Sequence, residues 1–591
     1  MSIKPGQYFN LSNMLDDILL NIQKPARYIG QEWNTPKKDF ISSPIKFALC
    51  FPDLYEVGMS NLGLRILYGV LNSMPEVSCE RFFSPASDLE QALLARGQEI
   101  SSLETGRPLK EFDLVGFSLG YELNFTNVLG ILKLAGLPLL SSLRDHRHPL
   151  IIAGGPCVLN PEPMHEFFDL FVIGEAEEVI CEIIDLYSHS KDGFRSNKIS
   201  KEELLLGLSG IEGVYVPSLY EVIYDDRGLI KEFRPRLKGV AQRVKKRFVR
   251  ELDNSYFPQE WLLPYIQVIH DRITLEIMRG CPNSCRFCQA RLQYFPYRLR
   301  SRDKILELAG NTYKNSGYEE LALGGLSVSD YPGIEVLLGN LIGLFRDKGV
   351  AVSLPSIKPK IIVGSLSSMI ATIKKTGLTF APEAATERLR KILNKRFDMQ
   401  EFMGTLEQAY SAGYQRVKLY FMIGLPFEED ADLGAIVDFA KQVSELRRKS
   451  KHGPAQVNIS INTLIPKPHT PFQWLKMQDL ESIKRKHSYI KGQIKSARLE
   501  LNLHNPQMSI LEGLLCRGDR RLSKVILAAF LKGARFDAWV DHFNFQSWMD
   551  AFSECGIDPQ RYLRERQKEE ILPWDFLDIG ITKDNLLSDS Q

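Results

Sequence analysis

Three cysteines, Cys281, Cys285 and Cys288, fall within the stretch "RGCPNSCRFCQA". Thiolates at such close spacing are metal ligands, and their number narrows the choice of metal. Structural zinc takes four ligands, usually from two separated pairs, and here there is no second pair. A ferredoxin-type cluster wants a fourth cysteine nearby, and the run supplies none. What remains is a [4Fe-4S] cluster whose fourth iron has no protein ligand and is open to a small molecule. The other six of the nine cysteines (Cys50, Cys79, Cys157, Cys181, Cys516, Cys555) are scattered singly and read as small buried side chains in a reducing compartment.

Phe287 stands before the last cysteine, completing Cys-x-x-x-Cys-x-aromatic-Cys, and with it the chain resembles the radical S-adenosylmethionine (SAM) superfamily. The resemblance implies that the open iron chelates the amino and carboxylate groups of SAM. An electron from the cluster then yields methionine and a 5′-deoxyadenosyl radical that abstracts hydrogen from a substrate. Further motifs are similar to the family's. In "LALGGLSVSDY", Gly324 and Gly325 resemble the glycine-rich segment that binds the cofactor's amino group. Leu326 takes the place where the family often has an acid, which leaves Ser327 or backbone carbonyls for that role. Glu383 in "LTFAPEAATERLR" matches an acid near the cofactor ribose or the substrate. Gly424 in "KLYFMIGLPFEED" matches a segment whose backbone lies along the adenine, with Pro426 and Glu428 as structural residues. "NTLIPKPHTPFQW" also matches the family and offers Lys467 or His469 as a side chain facing the site, although a lone histidine in a proline-rich loop is more often structural. No catalytic residue is assigned.

The elements that must position these residues are legible as periodicity. Apolar runs at "ITLEIMR", "ELALGG", "AVSLPS", "LTFAP", "RVKLYFMIG" and "QVNISINTL" alternate with helical patterns such as "GIEVLLGNLIGLFRDKG". Over residues 266–490 this predicts a partial (β/α)6 barrel of parallel strands, with its chemistry at the C-terminal strand ends. Residues 46–190 show a shorter α/β alternation, an open parallel sheet, and 191–265 form a connection with a hairpin turning at "DDRG". An extension, 1–45, precedes these, and 491–591 read as mainly helical.

The order of "FPDLYEVGMSNLG", "VGFSLGYE", "IIAGGPCVLNPEP" and "FVIGEAEE" resembles the cobalamin-binding domain fused ahead of many radical enzymes. That resemblance implies that Ser118, Gly154 and Gly155 border a ligand crevice. The cobalt-coordinating Asp-x-His-x-x-Gly signature is missing, because Leu54 and Tyr55 follow Asp53. An empty, structural or repurposed domain is therefore favoured over cobalamin binding, and any cobalamin would bind without that histidine. The whole chain is similar to an uncharacterised class of radical SAM proteins with this domain order.

A net charge of +2 argues against nucleic-acid binding by bulk electrostatics. "MSIKPGQYFNLSNMLDDILL" lacks a signal-peptide pattern and no apolar run is long enough to span a bilayer, so a cytoplasmic enzyme without a membrane partner is expected. Its partners would be a reductase or flavodoxin-type electron donor and an unknown substrate, small molecule or macromolecule. Methylthiolation is disfavoured because the N-terminal cysteines are isolated and the tail looks helical. A cobalamin-dependent methyltransferase, or a non-enzymatic iron–sulfur sensor or scaffold, is the alternative. Arg298, Arg300 and Arg302 are expected to pair with barrel carboxylates. "RGDRRLSKVILAAFLKGARFDAW" reads either as a capped helix with ion pairs or as a surface over the open barrel end.

Overall fold

The computed structural model describes residues 17–353 and 378–589. Six strands form the first sheet: β1 (Ile45–Phe51), β2 (Val77–Phe83), β3 (Leu114–Ser118), β4 (Leu150–Gly154), β5 (Leu170–Val172) and β6 (Val214–Tyr215). Their order is β2-β1-β3-β4-β5-β6, parallel throughout except for β6. Runs such as "IKFALCF" and "LIIAG" are apolar on both faces because helices cover both sides of a doubly wound sheet. From β1 the chain first adds β2 on one side and then β3 on the other, so the order reverses there. In such sheets ligands bind outside the strand ends at that reversal.

A hairpin follows, β7 (Tyr220–Tyr224) and β8 (Ile230–Pro235), turned at Asp225 to Gly228 as the sequence predicts. The short strand β9 (Val244–Lys245) then pairs with a C-terminal segment described below. The next strands are β10 (Ile273–Glu276), a two-residue antiparallel pair of β11 (Met278–Arg279) and β12 (Arg298–Leu299), then β13 (Glu320–Gly324) and β14 (Ala351–Ser353). Residues 354–356 of the predicted strand "AVSLPS" lie outside the described residues. A second arc holds β15 (Leu378–Glu383), β16 (Arg416–Ile423), β17 (Gln456–Thr463) and β18 (Leu499–Leu503). Both arcs, β10-β13-β14 and β15-β16-β17-β18, are parallel.

β18 is a seventh parallel strand, one more than the sequence predicts, and it falls in the segment read as helical. Alternation along the second arc separates two faces. Val417, Leu419, Phe421 and Ile423 pack under the helices, with Phe421 edge-on to Phe439 at 5.6 Å. Lys418, Tyr420 and Met422 face inward, in register with Asn458, Ser460 and Asn462 on β17. Asn458 and Ser460 in turn align with Glu500 and Asn502 on β18. The inside of this arc is therefore polar and its outside apolar, as a barrel that holds a polar ligand requires.

The C-terminal region is mainly helical, as expected, and it wedges between the sheet and the barrel. Arg517 is fully buried and donates to the carbonyls of Pro466, Gln473, Tyr562 and Arg564. Arg520 pairs with Glu162 of the first domain at 2.7 Å, and Asn160 donates to Cys516 and Gly518 carbonyls. A last strand, β19 (Leu577–Asp578), closes on β9. Of the two readings of the "RGDRR" segment, this is the one with ion pairs and buried contacts. Among the described residues no helix is long and apolar enough to cross a membrane.

Candidate cluster and cofactor site

The cysteine loop leaves β11 and returns at β12, so the β11–β12 pairing clamps its two ends. Gly280 opens the loop at φ +83°, where a Cβ would lie 2.7 and 2.8 Å from the carbonyl oxygens of Tyr294 and Pro296. Only glycine makes that turn. Beyond it the backbone N–H of Arg286 donates to Leu393 O (3.0 Å), its guanidinium to Ile392 O (3.0 Å), and Asn394 to Ser284 Oγ (2.8 Å). Phe287 rests on a small apolar cluster that includes Leu389, Leu393, Leu425, Leu464 and Phe472. The loop is thus held from below by the segment after β15 and by the loops after β16 and β17.

All three thiols are half-buried and unbridged. Burial pushes the Cys285 and Cys288 thiols up, the neighbouring thiols add to this, and Lys395 opposes it. Bound iron reverses that preference and holds thiolates. Among the described residues no three His, Cys, Asp or Glu side chains converge on one point as a single metal ion demands. A cubane does not ask for convergence, since each thiolate takes its own corner. Three half-buried thiols on one short loop, apart from the six solitary cysteines, fit that donor set.

Next to Cys281 lies a carboxylate that the sequence reading missed. Asn283 Nδ2 is 3.3 Å from Cys281 Sγ and 2.7 Å from Asp330 Oδ2, and Ser327 Oγ donates to the same oxygen at 2.7 Å. Asp330 stands four residues after Leu326, at the end of a short 3-10 turn, Val328–Asp330. An Asp at that offset is the signal in the sequence. Ser327 is accordingly placed at the site, as a partner of the acid.

Glu383 sits at an irregularity in the β15–β16 register with φ +66°, a left-handed conformation that costs a non-glycine residue about 1 kcal/mol or more. Burial raises its carboxyl, opposed by Lys395 Nζ at 3.7 Å. Lys395 therefore stands near both Glu383 and the thiols. Gly424 has φ +80° and its N–H donates to Glu428 Oε2 at 2.9 Å, while Glu428 also pairs with Lys486. Glu428 is thus a brace for the turn.

The other predicted residues converge on one cavity of 490 Å³ between the first sheet and the barrel. Ser118, Gly154 and Gly155 border it from the sheet side, and Gly324, Gly325 and Gly280 from the barrel side. Its lining is mostly apolar. A Cβ on Gly325 would come within 2.5 Å of Met278 Cγ, and one on Gly155 within 2.8 Å of Leu119 O, so both glycines are spacing devices. Asp53 is not available as a relay to a histidine: it accepts from Trp539 Nε1 (2.9 Å), Asn124 Nδ2 (3.2 Å) and Leu54 N (2.7 Å). Arginines seal the seam, with Arg279 on Glu175, Glu177 and Glu276 and Arg298 on Glu175. Arg300 is buried on Leu252 O and Ser255, 3.8 Å from Glu276, and Arg302 is exposed beside Asp303. The pairing expected with barrel carboxylates holds for Arg300; Arg298 pairs instead with a carboxylate of the first domain.

Of the two candidates after β17, Lys467 borders a second cavity beyond Phe287. His469 is fully enclosed, its Nε2 3.0 Å from Leu159 O, and burial pushes it down to about 4. It is a neutral link between the barrel and the first domain and does not face the site.

The cysteine loop thus lies at the strand ends of a parallel barrel arc that follows a doubly wound sheet. The family described as "Radical SAM superfamily" matches residues 275–440, and "Radical SAM proteins, N-terminal" matches 63–217. The chain belongs to the radical SAM superfamily and is an enzyme of that family, which implies a [4Fe-4S] cluster and SAM. It is 29% identical over 482 residues to the uncharacterized protein MJ0966 of Methanocaldococcus jannaschii, covering 81% of this chain and 90% of that one. A second relative is the ribosomal protein uS12 methylthiotransferase RimO of Pelotomaculum thermopropionicum, 26% identical over 200 residues, 32% of this chain and 43% of RimO. Among solved structures, the radical SAM methyltransferase TsrM of Kitasatospora setae with cobalamin and a [4Fe-4S] cluster is similar at 13% identity, covering 74% and 75% of the two chains with a TM-score of 0.45. The cobalamin-dependent SAM radical enzyme OxsB is similar at 12% identity over 92% and 78%, also with a TM-score of 0.45.

Proposed function

We propose that Cys281, Cys285 and Cys288 hold three irons of a [4Fe-4S] cluster and that SAM binds the fourth. When bound, the pair supplies a reductively generated 5′-deoxyadenosyl radical that takes hydrogen from a substrate. The observation that supports this reading is the Asn283–Asp330–Ser327 network beside Cys281, a carboxylate of the charge that an ammonium group calls for. Asp330 receives the amino group of SAM, Lys395 offers a cation to its carboxylate, and Gly424 lets the backbone approach the adenine. Glu383, held in a left-handed conformation near Lys395, faces the ribose. The electron comes from a reductase or flavodoxin-type donor, and the setting is cytoplasmic. Electron-spin resonance of the reduced, reconstituted protein tests the reading. SAM is expected to change the cluster signal, and an unchanged signal at saturating SAM would sink it.

The 490 Å³ cavity favours a second, compatible reading, a corrinoid between the two domains. Ser118, Gly154 and Gly155 would border it on the sheet side. Asp53 is fully occupied and no histidine follows it, so no lower ligand would come from that motif. Retention of hydroxocobalamin absorbance after desalting supports this reading, and a colourless protein rejects it.

A further inference from the structure

The second cavity, 330 Å³, lies at the C-terminal ends of the second arc. Its inner wall is a row of Met422 on β16, Asn462 on β17 and His504 directly after β18, and Phe287 of the cysteine loop closes one side. The remaining walls set Leu464 and Ile465 beside polar side chains. His504 Nδ1 is 2.9 Å from Ser509 Oγ. Lys467 Nζ lies 2.7 Å from Glu512 Oε1 and 2.9 Å from Glu122 Oε1, and the Tyr121 hydroxyl donates to Glu512 Oε2 at 2.7 Å. The Thr463 hydroxyl also borders the cavity. Thr463 is 6% exposed, and its Oγ1 has no hydrogen-bond partner among the described residues. A buried hydroxyl left in this state costs free energy unless something in the cavity meets it.

Two carboxyl groups share one ammonium, and burial together with the neighbouring Glu512 raises the Glu122 carboxyl, so the group lacks a second cation. Burial alone would lower Lys467, but Glu122 and Glu512 outweigh it and keep it protonated. An anionic ligand would add negative charge beside these carboxyls at low dielectric, whereas a cation at Glu512 favours the ionised form of both. Glu512 has spare acceptor capacity after Lys467 and Tyr121. A volume of this size suits a small molecule. Its polar walls come from residues 462–512, outside the 275–440 matched by the radical SAM superfamily.

Resting on the radical SAM reading above, we infer that this cavity is the substrate pocket, and that it takes a small polar molecule presenting an ammonium group to Glu512 and hydrogen-bonding groups to Thr463, Asn462 and His504. Residues of the C-terminal helix Pro506–Arg517 and the end of β18 then select the substrate, beside the loop that starts the radical chemistry.

The test uses three probes of equal length and different charge, 1,4-diaminobutane, 1,4-butanediol and succinate, titrated calorimetrically into the reconstituted full-length protein. The diamine is expected to bind about tenfold tighter than the diol, with succinate weakest. Glu512→Gln is expected to erase that preference, and Thr463→Val, a near-isosteric change that leaves the fold intact, to weaken diamine binding severalfold. Succinate binding as tightly as the diamine, a preference that survives Glu512→Gln, or no binding of any probe would overturn the inference. The SAM-dependent electron-spin change, read on the same samples, separates the two claims. If it persists without diamine selectivity, only the pocket assignment fails; if the native protein lacks it, the radical reading fails and the pocket assignment with it.

Discussion

Asp330 and His469 show how differently two titratable residues near one loop are used. Asp330 is bonded to Asn283 and Ser327 beside Cys281, so Asp330→Asn removes the charge and keeps the shape. Cluster content is expected to be unchanged and SAM affinity to fall about tenfold or more, read by titrating the electron-spin change. His469 is buried and neutral, with its ionisation held down to about 4 against an ordinary value near 6.5. Because the folded value is depressed, its contribution is complete above about pH 6.5 and is lost as pH falls toward 4, by about 3 kcal/mol in all. Urea unfolding at pH 7 and pH 5 should therefore show a loss in the native protein that is smaller in His469→Gln. The cysteine triplet and the turn glycines were legible because spacing and the absence of a side chain are properties of sequence. Asp330 was not, because its place depends on a short turn that folds four residues back. Nor could sequence say which of Lys467 and His469 looks inward, since both follow the same strand.

At the level of elements, β18 illustrates what alternation hides. "LELNL" has Glu500 and Asn502 on the inside of the arc, so its polar half reads as surface and its five residues offer little period. The six other barrel strands were visible because their apolar faces are longer or their ends are marked by glycine and proline. The helix Pro506–Arg517 is fastened by its last residue, whose guanidinium satisfies four carbonyls from two separate loops. Arg517→Met leaves those carbonyls buried without donors. A loss of about 3 kcal/mol is expected, with limited proteolysis cutting first in the C-terminal region while the first sheet stays protected. Equal protection of both regions would show that the arginine is not what fastens the helix.

For the whole molecule the main feature is convergence. Ser118, Gly154 and Gly155 meet Gly324 and Gly325 across one cavity although they lie far apart in the chain, and no local pattern announces such a meeting. The domain seam depends on Glu175, whose carboxyl burial would raise but which Arg298 and Arg279 hold below the usual range. Glu175→Gln leaves Arg298 without a carboxylate while Arg279 keeps Glu177 and Glu276, and by the usual cost of breaking a buried pair the protein should lose about 3 kcal/mol. Thermal unfolding would detect this as a large fall in Tm, and a change of a degree or less would mean that the seam is held elsewhere. The most direct test of the radical chemistry itself is anaerobic reconstitution with iron and sulfide, reduction, and chromatography for 5′-deoxyadenosine formed from SAM. The native protein is expected to produce it and a variant with Cys281, Cys285 and Cys288 all changed to Ala is not. A fully loaded native protein that forms none under several reductants, or equal formation by the variant, would contradict the assignment of these three cysteines.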